Sequence, residues 1–175
     1  MVSDIMLDLE TFGTNPNAVI VQIGACYFDR VTGEIGEKFL KNIDAVESVK
    51  LGFKMDPETI CWWLSQSPEA IKSIIDITKF KWHPSIAIEA FNDFVKPDSN
   101  IWSHATFDMV ILMEHYRIIG IKPKFDYRNS RDLRTIVALA GIDVDSYEKI
   151  GIAHNALDDC LFQVKYAVDC LRKLL

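Results

Sequence analysis

The sequence predicts an α/β protein whose mixed sheet is covered by helices on both faces. Two patterns carry that expectation. Three strand-like segments follow one another near the start, and helical segments interrupted by one further short strand fill the rest. The scale agrees: 175 residues, 49% apolar and 25% charged, suit one globular domain spanning 1–175.

The first strand is read from Ile5-Met6-Leu7, followed by the alternation Asp8/Leu9/Glu10, buried early and polar on one side at its end. Val19 to Phe28, rich in β-branched and aromatic residues, predicts a second strand; Asp29 to Gly33 turns the chain, and Glu37 to Ile43 returns as a third. Asp56-Pro57 supplies an N-cap and first-turn proline for a helix through Trp62-Trp63-Leu64, and Ser67-Pro68-Glu69 repeats that start signal. A third helix spans about Ser85 to Val95, with Ile86, Ile88, Ala90, Phe91 and Phe94 on its apolar face. Asn100 to Ser103 reads as a short strand, Asp108 to Ile118 as a helix ended by Gly120, Asp132 to Ala140 as a helix ended by Gly141, and Asn155 to Leu175 as a long final helix.

No stretch approaches the roughly 18 apolar residues of a membrane span, and Met1-Val2-Ser3-Asp4 lacks the basic and apolar regions of a leader, which predicts a cytoplasmic protein. Cys26, Cys61, Cys160 and Cys170 form no CxxC pair and are expected to be buried free thiols. The net charge of −6 argues against a nucleic-acid partner only at first sight. Two divalent cations held by four carboxylates would return about +4 where a phosphate sits. Lys122, Lys124, Arg128, Arg131 and Arg134 read equally as a phosphate-facing patch or a solvated surface.

Three acidic clusters carry the chemistry. Asp8 and Glu10, two apart on a strand, project to one side, and their mutual repulsion is relieved by a hard divalent cation such as Mg²⁺ or Mn²⁺. Taken alone, the pair reads better as two solvated acids at an exposed strand end. Asp108 lies where a strand hands over to a helix, a place where ligand sites collect in α/β folds and also where an acid simply complements the helix dipole. In the last cluster, Asp158 shares a charged stripe with Phe162, Lys165, Asp169 and Arg172, whereas Asp159 shares an uncharged one with Gln163, Tyr166 and Cys170. Asp159 is therefore the expected covered ligand, with Asn155 as N-cap and His154 just before the helix, free to swing.

Asp8-x-Glu10, Phe107-Asp108 and His154 followed five residues later by Asp159 resemble the three motifs of the DEDDh branch of DnaQ-like 3′-5′ exonucleases. Asp8-Leu9-Glu10-Thr11-Phe12-Gly13, Thr59-Ile60-Cys61-Trp62-Trp63-Leu64 and Arg131-Asp132-Leu133-Arg134-Thr135 are similar to phage and prophage exonucleases of the exodeoxyribonuclease VIII-like and RNase AS-like groups. The resemblance implies an RNase H-like fold with a five-stranded sheet whose second strand is antiparallel. It implies that Asp8, Glu10, Asp108 and Asp159 hold two Mg²⁺ or Mn²⁺ ions roughly 3.5–4 Å apart and that His154 is the general base. Single-stranded DNA or RNA would then lose nucleoside 5′-monophosphates from its 3′ end. Thr11 is expected at the terminal nucleotide, Phe12 and Phe107 each either there, stacked on the base, or packed in the core, and the adjacent Trp62 and Trp63 split between channel and core. Many relatives carry Asn where this chain has His104, so His104 is the expected but altered substrate contact. Relatives also form dimers, which makes a homodimer an expectation. A catalytically silent nucleic-acid-binding module and a metal phosphatase are the competing readings. The intact acid set argues against the first, and the lack of a DxD nucleophile or Gly-rich phosphate loop against the second.

Overall fold

The computed structural model describes residues 4–76, 80–149 and 151–175; Met1, Val2 and Ser3, read above for a leader, lie outside them. Strand β1 (Asp4–Thr11) pairs antiparallel with β2 (Ile20–Phe28), and β2 pairs antiparallel with β3 (Ile35–Asn42). Helices α1 (Ala45–Lys50), α2 (Pro57–Leu64), α3 (Pro68–Ile75) and α4 (Pro84–Phe94) follow. Then come β4 (Asn100–Ser103), α5 (Asp108–Ile119), β5 (Ser130–Asp132), α6 (Leu133–Ala140) and α7 (Ala156–Leu174). The sheet order is β3-β2-β1-β4-β5, with β4 parallel to β1 and to β5, so β2 alone runs against the others. This is the mixed five-stranded RNase H-like α/β arrangement.

The period of two in β1 sorts its side chains between two layers. Ile5, Leu7 and Leu9 pack with Ile88 and Phe91 of α4 and Ile111, Leu112 and Tyr116 of α5. Met6 faces the other way, into the layer built by Leu133 of α6 and Cys160, Val164, Ala167 and Val168 of α7. Asp8 and Glu10 continue the Met6 side and thus point toward α7. A third apolar group, Val19, Val21, Phe53, Trp63, Ala70 and Ile74, ties α2 and α3 to the sheet.

Helix α7 can lie close against β2 because Gly24 has no side chain: a Cβ there would overlap the backbone of Ala156 and Leu157. The contact is pinned by the Ala156 N–H donating to Gln22 Oε1 at 2.7 Å and by Cys160 Sγ donating to the Gly24 carbonyl at 3.3 Å. Register does the rest, since Asp8 pairs with Gly24 and Glu10 with Gln22. The start of α7 is thereby docked directly over the two acids.

Several expectations are corrected. Asp56 is the residue before α2 but does not cap it; its carboxylate accepts instead from the Thr14 N–H and Asn15 Nδ2, closing the loop after β1. Ile86 is half exposed, and Ala87 takes its place on the apolar face of α4. Cys61 is exposed, while Cys26, Cys160 and Cys170 are buried, and all four are free. Helix α1, capped by the Asp44 carboxylate through Val46 and Glu47 N–H, and the three-residue β5 are additions to the elements read from the residues. No helix among the described residues is long and apolar enough to cross a membrane.

Candidate active site

Four carboxylates meet at the carboxyl end of β1: Asp8 and Glu10 from the strand, Asp108 from the first turn of α5 and Asp159 from the first turn of α7. None is more than 8% exposed. They line a cavity of about 370 Å³ shared with His104, Phe107, Arg134, Lys149, His154 and Gln163. Asp108 is oriented by main chain, its Oδ1 accepting from the Leu9 N–H at 3.2 Å and its Oδ2 from the His104 N–H at 2.8 Å. Gln163, one turn beyond Asp159, donates from Nε2 to Asp8 Oδ1 at 2.8 Å. Lys149 Nζ lies 2.8 Å from Asp159 Oδ1.

Crowding these acids out of water perturbs them strongly. Burial, then the charges of Asp108, Glu10 and Asp159, raise Asp8 well above the usual carboxylate range, against the Gln163 hydrogen bond that lowers it. Burial, then Asp159 and Asp108, push Glu10 to about 8, with Lys149 acting the other way. Burial raises Asp108 to about 7, although its two main-chain donors and Arg134 oppose the shift. A site whose acids are held so far from their preferred charge state gains most from a cation.

The donor set divides into two groups, Asp8 with His104 and Asp108, and Glu10 with His154 and Asp159. Within each, one ligand atom per residue lies within 4.8 Å of the others. Hard oxygen donors in such numbers fit divalent metal ions.

Asp158 sits elsewhere. Its Oδ2 accepts from the Ile152 N–H at 2.9 Å and so latches the loop that precedes α7. The stripe containing Asp159, Gln163, Tyr166 and Cys170 is buried throughout, which is why Asp159 and not Asp158 enters the cavity.

His154 adopts φ 60°, and its carbonyl accepts from Ser73 Oγ at 3.2 Å. Its ring makes T-shaped contacts with Trp62 and Trp63 at centroid distances of 4.9 and 5.8 Å, so the imidazole is wedged against two indoles rather than free to swing. Burial holds it below its ordinary 6.5; Asp159 raises it and Lys149 lowers it.

Beside the acids lies a second, apolar cleft of about 440 Å³, bordered by Leu9, Glu10, Thr11, Trp62, Trp63 and Phe107. The tryptophans are split: Trp63 is buried and donates from Nε1 to the Thr11 carbonyl at 2.8 Å, while Trp62 is 45% exposed. Thr11 lines the cleft with its hydroxyl donated to the Gly13 carbonyl. Phe12 does not line it; of its two expected places it takes the core, packing around Val19, Phe53 and Trp63. Of the five basic residues read as a patch, only Arg134 borders the acid cavity. Arg131 is committed to Asn100 and to main-chain carbonyls, Lys124 to Asp93 and Arg128 to Asp126. Lys149 was not foreseen, because an irregular loop carries no periodicity to place it. Gln163 was visible on the Asp159 stripe, but nothing in the spacing showed that it reaches Asp8.

A profile of the 3′-5′ exoribonuclease Rv2179c-like domain matches residues 3–171. An exodeoxyribonuclease of Enterobacteria phage T4 is 26% identical over 211 residues, covering 94% of this chain and 88% of the phage protein. E. coli exonuclease I, in a zinc-bound complex with single-stranded DNA, superposes with a TM-score of 0.70 at 15% identity over 95% of this chain. Cell-death related nuclease 4 superposes at 0.66 and 17% identity over 97%. The chain spans 40% of exonuclease I and 64% of the cell-death nuclease, so these two speak for the fold alone. With the fold, the order of the motifs and a profile that covers nearly the whole sequence in agreement, the chain belongs to the Rv2179c-like 3′-5′ exoribonuclease family of DnaQ-like exonucleases.

Proposed function

We propose that this 3′-5′ exonuclease depends on divalent metal and removes nucleoside 5′-monophosphates one at a time from the 3′ end of single-stranded nucleic acid. The observation that carries the proposal is the convergence of Asp8, Glu10, Asp108, Asp159 and His154 on one cavity beside an apolar cleft. In this reading the four acids would hold two divalent ions, which supply an activated water and offset the charge that develops on the leaving oxygen. His154, neutral near pH 7 because burial depresses its pKa, accepts the proton of the attacking water at an imidazole nitrogen, and the two indole contacts fix the direction of that nitrogen. The cleft between Trp62 and Phe107 takes the terminal nucleoside, placing its phosphate against the acids. Attack on that phosphorus breaks its bond to the 3′-oxygen of the preceding nucleotide and frees a 5′-monophosphate.

A single strand is supported by the apolar cleft, which suits an unpaired base, and by the oligonucleotide complexes of exonuclease I. The family description names RNA and the phage relative DNA, so both belong in the test. Matched 5′-labelled DNA and RNA strands are incubated with Mg²⁺, Mn²⁺ or EDTA, and products are resolved by length and by mononucleotide chromatography. Stepwise shortening that needs metal and is lost in Asp108→Ala and His154→Ala is expected. Activity in EDTA, or full activity in both variants, would overturn the mechanism.

A further inference from the structure

We propose that an imidazole nitrogen of His104 is a third protein ligand to the cation held by Asp8 and Asp108, and that it makes this position favour a borderline transition-metal ion over Mg²⁺. The inference rests on the metal dependence proposed above and assigns to this chain a residue that the acid set alone does not include.

His104 begins the loop between β4 and α5 and borders the acid cavity. Its Nδ1 is 4.0 Å from Asp108 Oδ2, and one ligand atom each from Asp8, His104 and Asp108 fall within 4.8 Å of one another. Two donors about 2.1 Å from one ion are roughly 3.0 Å apart at right angles and roughly 4.2 Å apart when opposite each other, so the observed spacing needs only a small closure. The main chain is already fixed relative to the neighbouring ligand, because the His104 N–H donates to Asp108 Oδ2 at 2.8 Å. The ring itself makes no hydrogen bond among the described residues, which leaves its nitrogens for another partner. A surface histidine has no need of this placement beside two buried acids.

The chemistry follows from the donor. Mg²⁺ favours oxygen ligands, whereas imidazole suits Co²⁺ and Zn²⁺, which also bind more tightly than Mn²⁺ in the general affinity order for nitrogen and oxygen sites. His154 stands in the corresponding place beside Glu10 and Asp159, so the two imidazoles must be separated experimentally.

Metal-free protein is titrated with Co²⁺ and with Mg²⁺ by calorimetry, without nucleic acid, for the wild type, His104→Asn, His104→Gln and His154→Ala. The Co²⁺ absorption spectrum is recorded alongside. The expected result is a loss on the order of tenfold in Co²⁺ affinity and a changed visible band in both His104 variants, with Mg²⁺ affinity kept within about twofold. Unchanged Co²⁺ binding, or a parallel fall for both ions, overturns the assignment; the parallel fall shows that His104 only orients Asp108. A wild type that binds neither ion overturns the metal reading itself. The unmutated protein gives an independent answer: with nitrogen-15 histidine and Zn²⁺, a ring nitrogen of His104 moves to the metal-bound region of the NMR spectrum, and its failure to move sinks the proposal even if the variants fold poorly.

Discussion

Removing metal should make this protein less stable as pH rises, and Glu10 sets the scale. Burial and the neighbouring acids raise its pKa from 4.5 to about 8. A group whose folded pKa lies above its unfolded value contributes stability that is fully present below the unfolded value and is lost as pH climbs through the folded one. For Glu10 the loss runs from about 4.5 to about 8, and Asp108, raised from 3.8 to about 7, has the same sign. Between about pH 6.5 and about pH 8.5, Glu10 alone gives up about 2 kcal/mol. At 2–4 °C per kcal/mol for a chain of this size, the melting temperature falls by roughly 5 °C. His115, held near 4 by burial, has the opposite sign but lies outside the acid cavity. Its effect cancels when EDTA-treated and metal-saturated samples are compared at each pH. The gap between their melting temperatures should widen across this range, and calorimetry in buffers of different ionisation heat should show protons released on metal binding near pH 6.5. Glu10→Gln should flatten the slope, leaving the share of Asp8 and Asp108, and melt higher than the wild type in EDTA at about pH 8.5. A gap independent of pH, with no proton release, would refute the claim that these acids are held out of their preferred charge state.

Other perturbations test the supports of the site. Gly24→Ala should force the start of α7 to retreat by roughly 1 Å, with about 1–3 kcal/mol lost in urea unfolding and kcat reduced on the order of a hundredfold; wild-type kcat would contradict the close-docking argument. Gln163→Leu takes the hydrogen bond from Asp8 Oδ1, and calorimetry should record metal binding weaker by about tenfold or more. Asp159→Asn should abolish metal-dependent cleavage of a labelled strand, whereas Asp158→Asn, whose amide oxygen can still accept from Ile152, should keep it within a few-fold. The reverse pattern would mean that the stripe argument selects the wrong acid.

Legibility in the sequence followed periodicity. Asp8 and Glu10 could be placed because strand alternation fixes which residues share a face, and Asp159 because helix α7 is long enough for its buried stripe to stand apart from the charged one. Two helix ends were readable because glycine takes the left-handed conformation there, at Gly120 and Gly141. Short elements were not: six residues of α1 and three of β5 give no repeat to detect. Long-range partnerships were equally hidden, since nothing in the sequence says that Asp56 closes the loop after β1 or that Lys149 meets Asp159. The two places open to Phe12 could not be told apart for a related reason: after the irregularity between Glu10 and Thr11, two-residue alternation no longer tells which way a side chain points.

That irregularity also explains how one short strand serves both substrate chemistry and anchoring. Up to Glu10, alternate residues of β1 face α7 and supply carboxylates. At Thr11 the register shifts, the Thr11 carbonyl accepts from Trp63, and the Phe12 N–H donates to Val19 O. The main chain just beyond the acids is therefore tied to α2 and to β2 within two residues, while Trp63 and Trp62 together hold the His154 ring. His154 and Glu10 are separated by 144 positions in the chain but share the same indole support, one through the ring contact and the other through the neighbouring carbonyl. The fold spends its rigid contacts on the geometry of a few mutually repelling groups, and a bound cation would relieve that repulsion and offset the charge of a phosphate in an otherwise acidic protein.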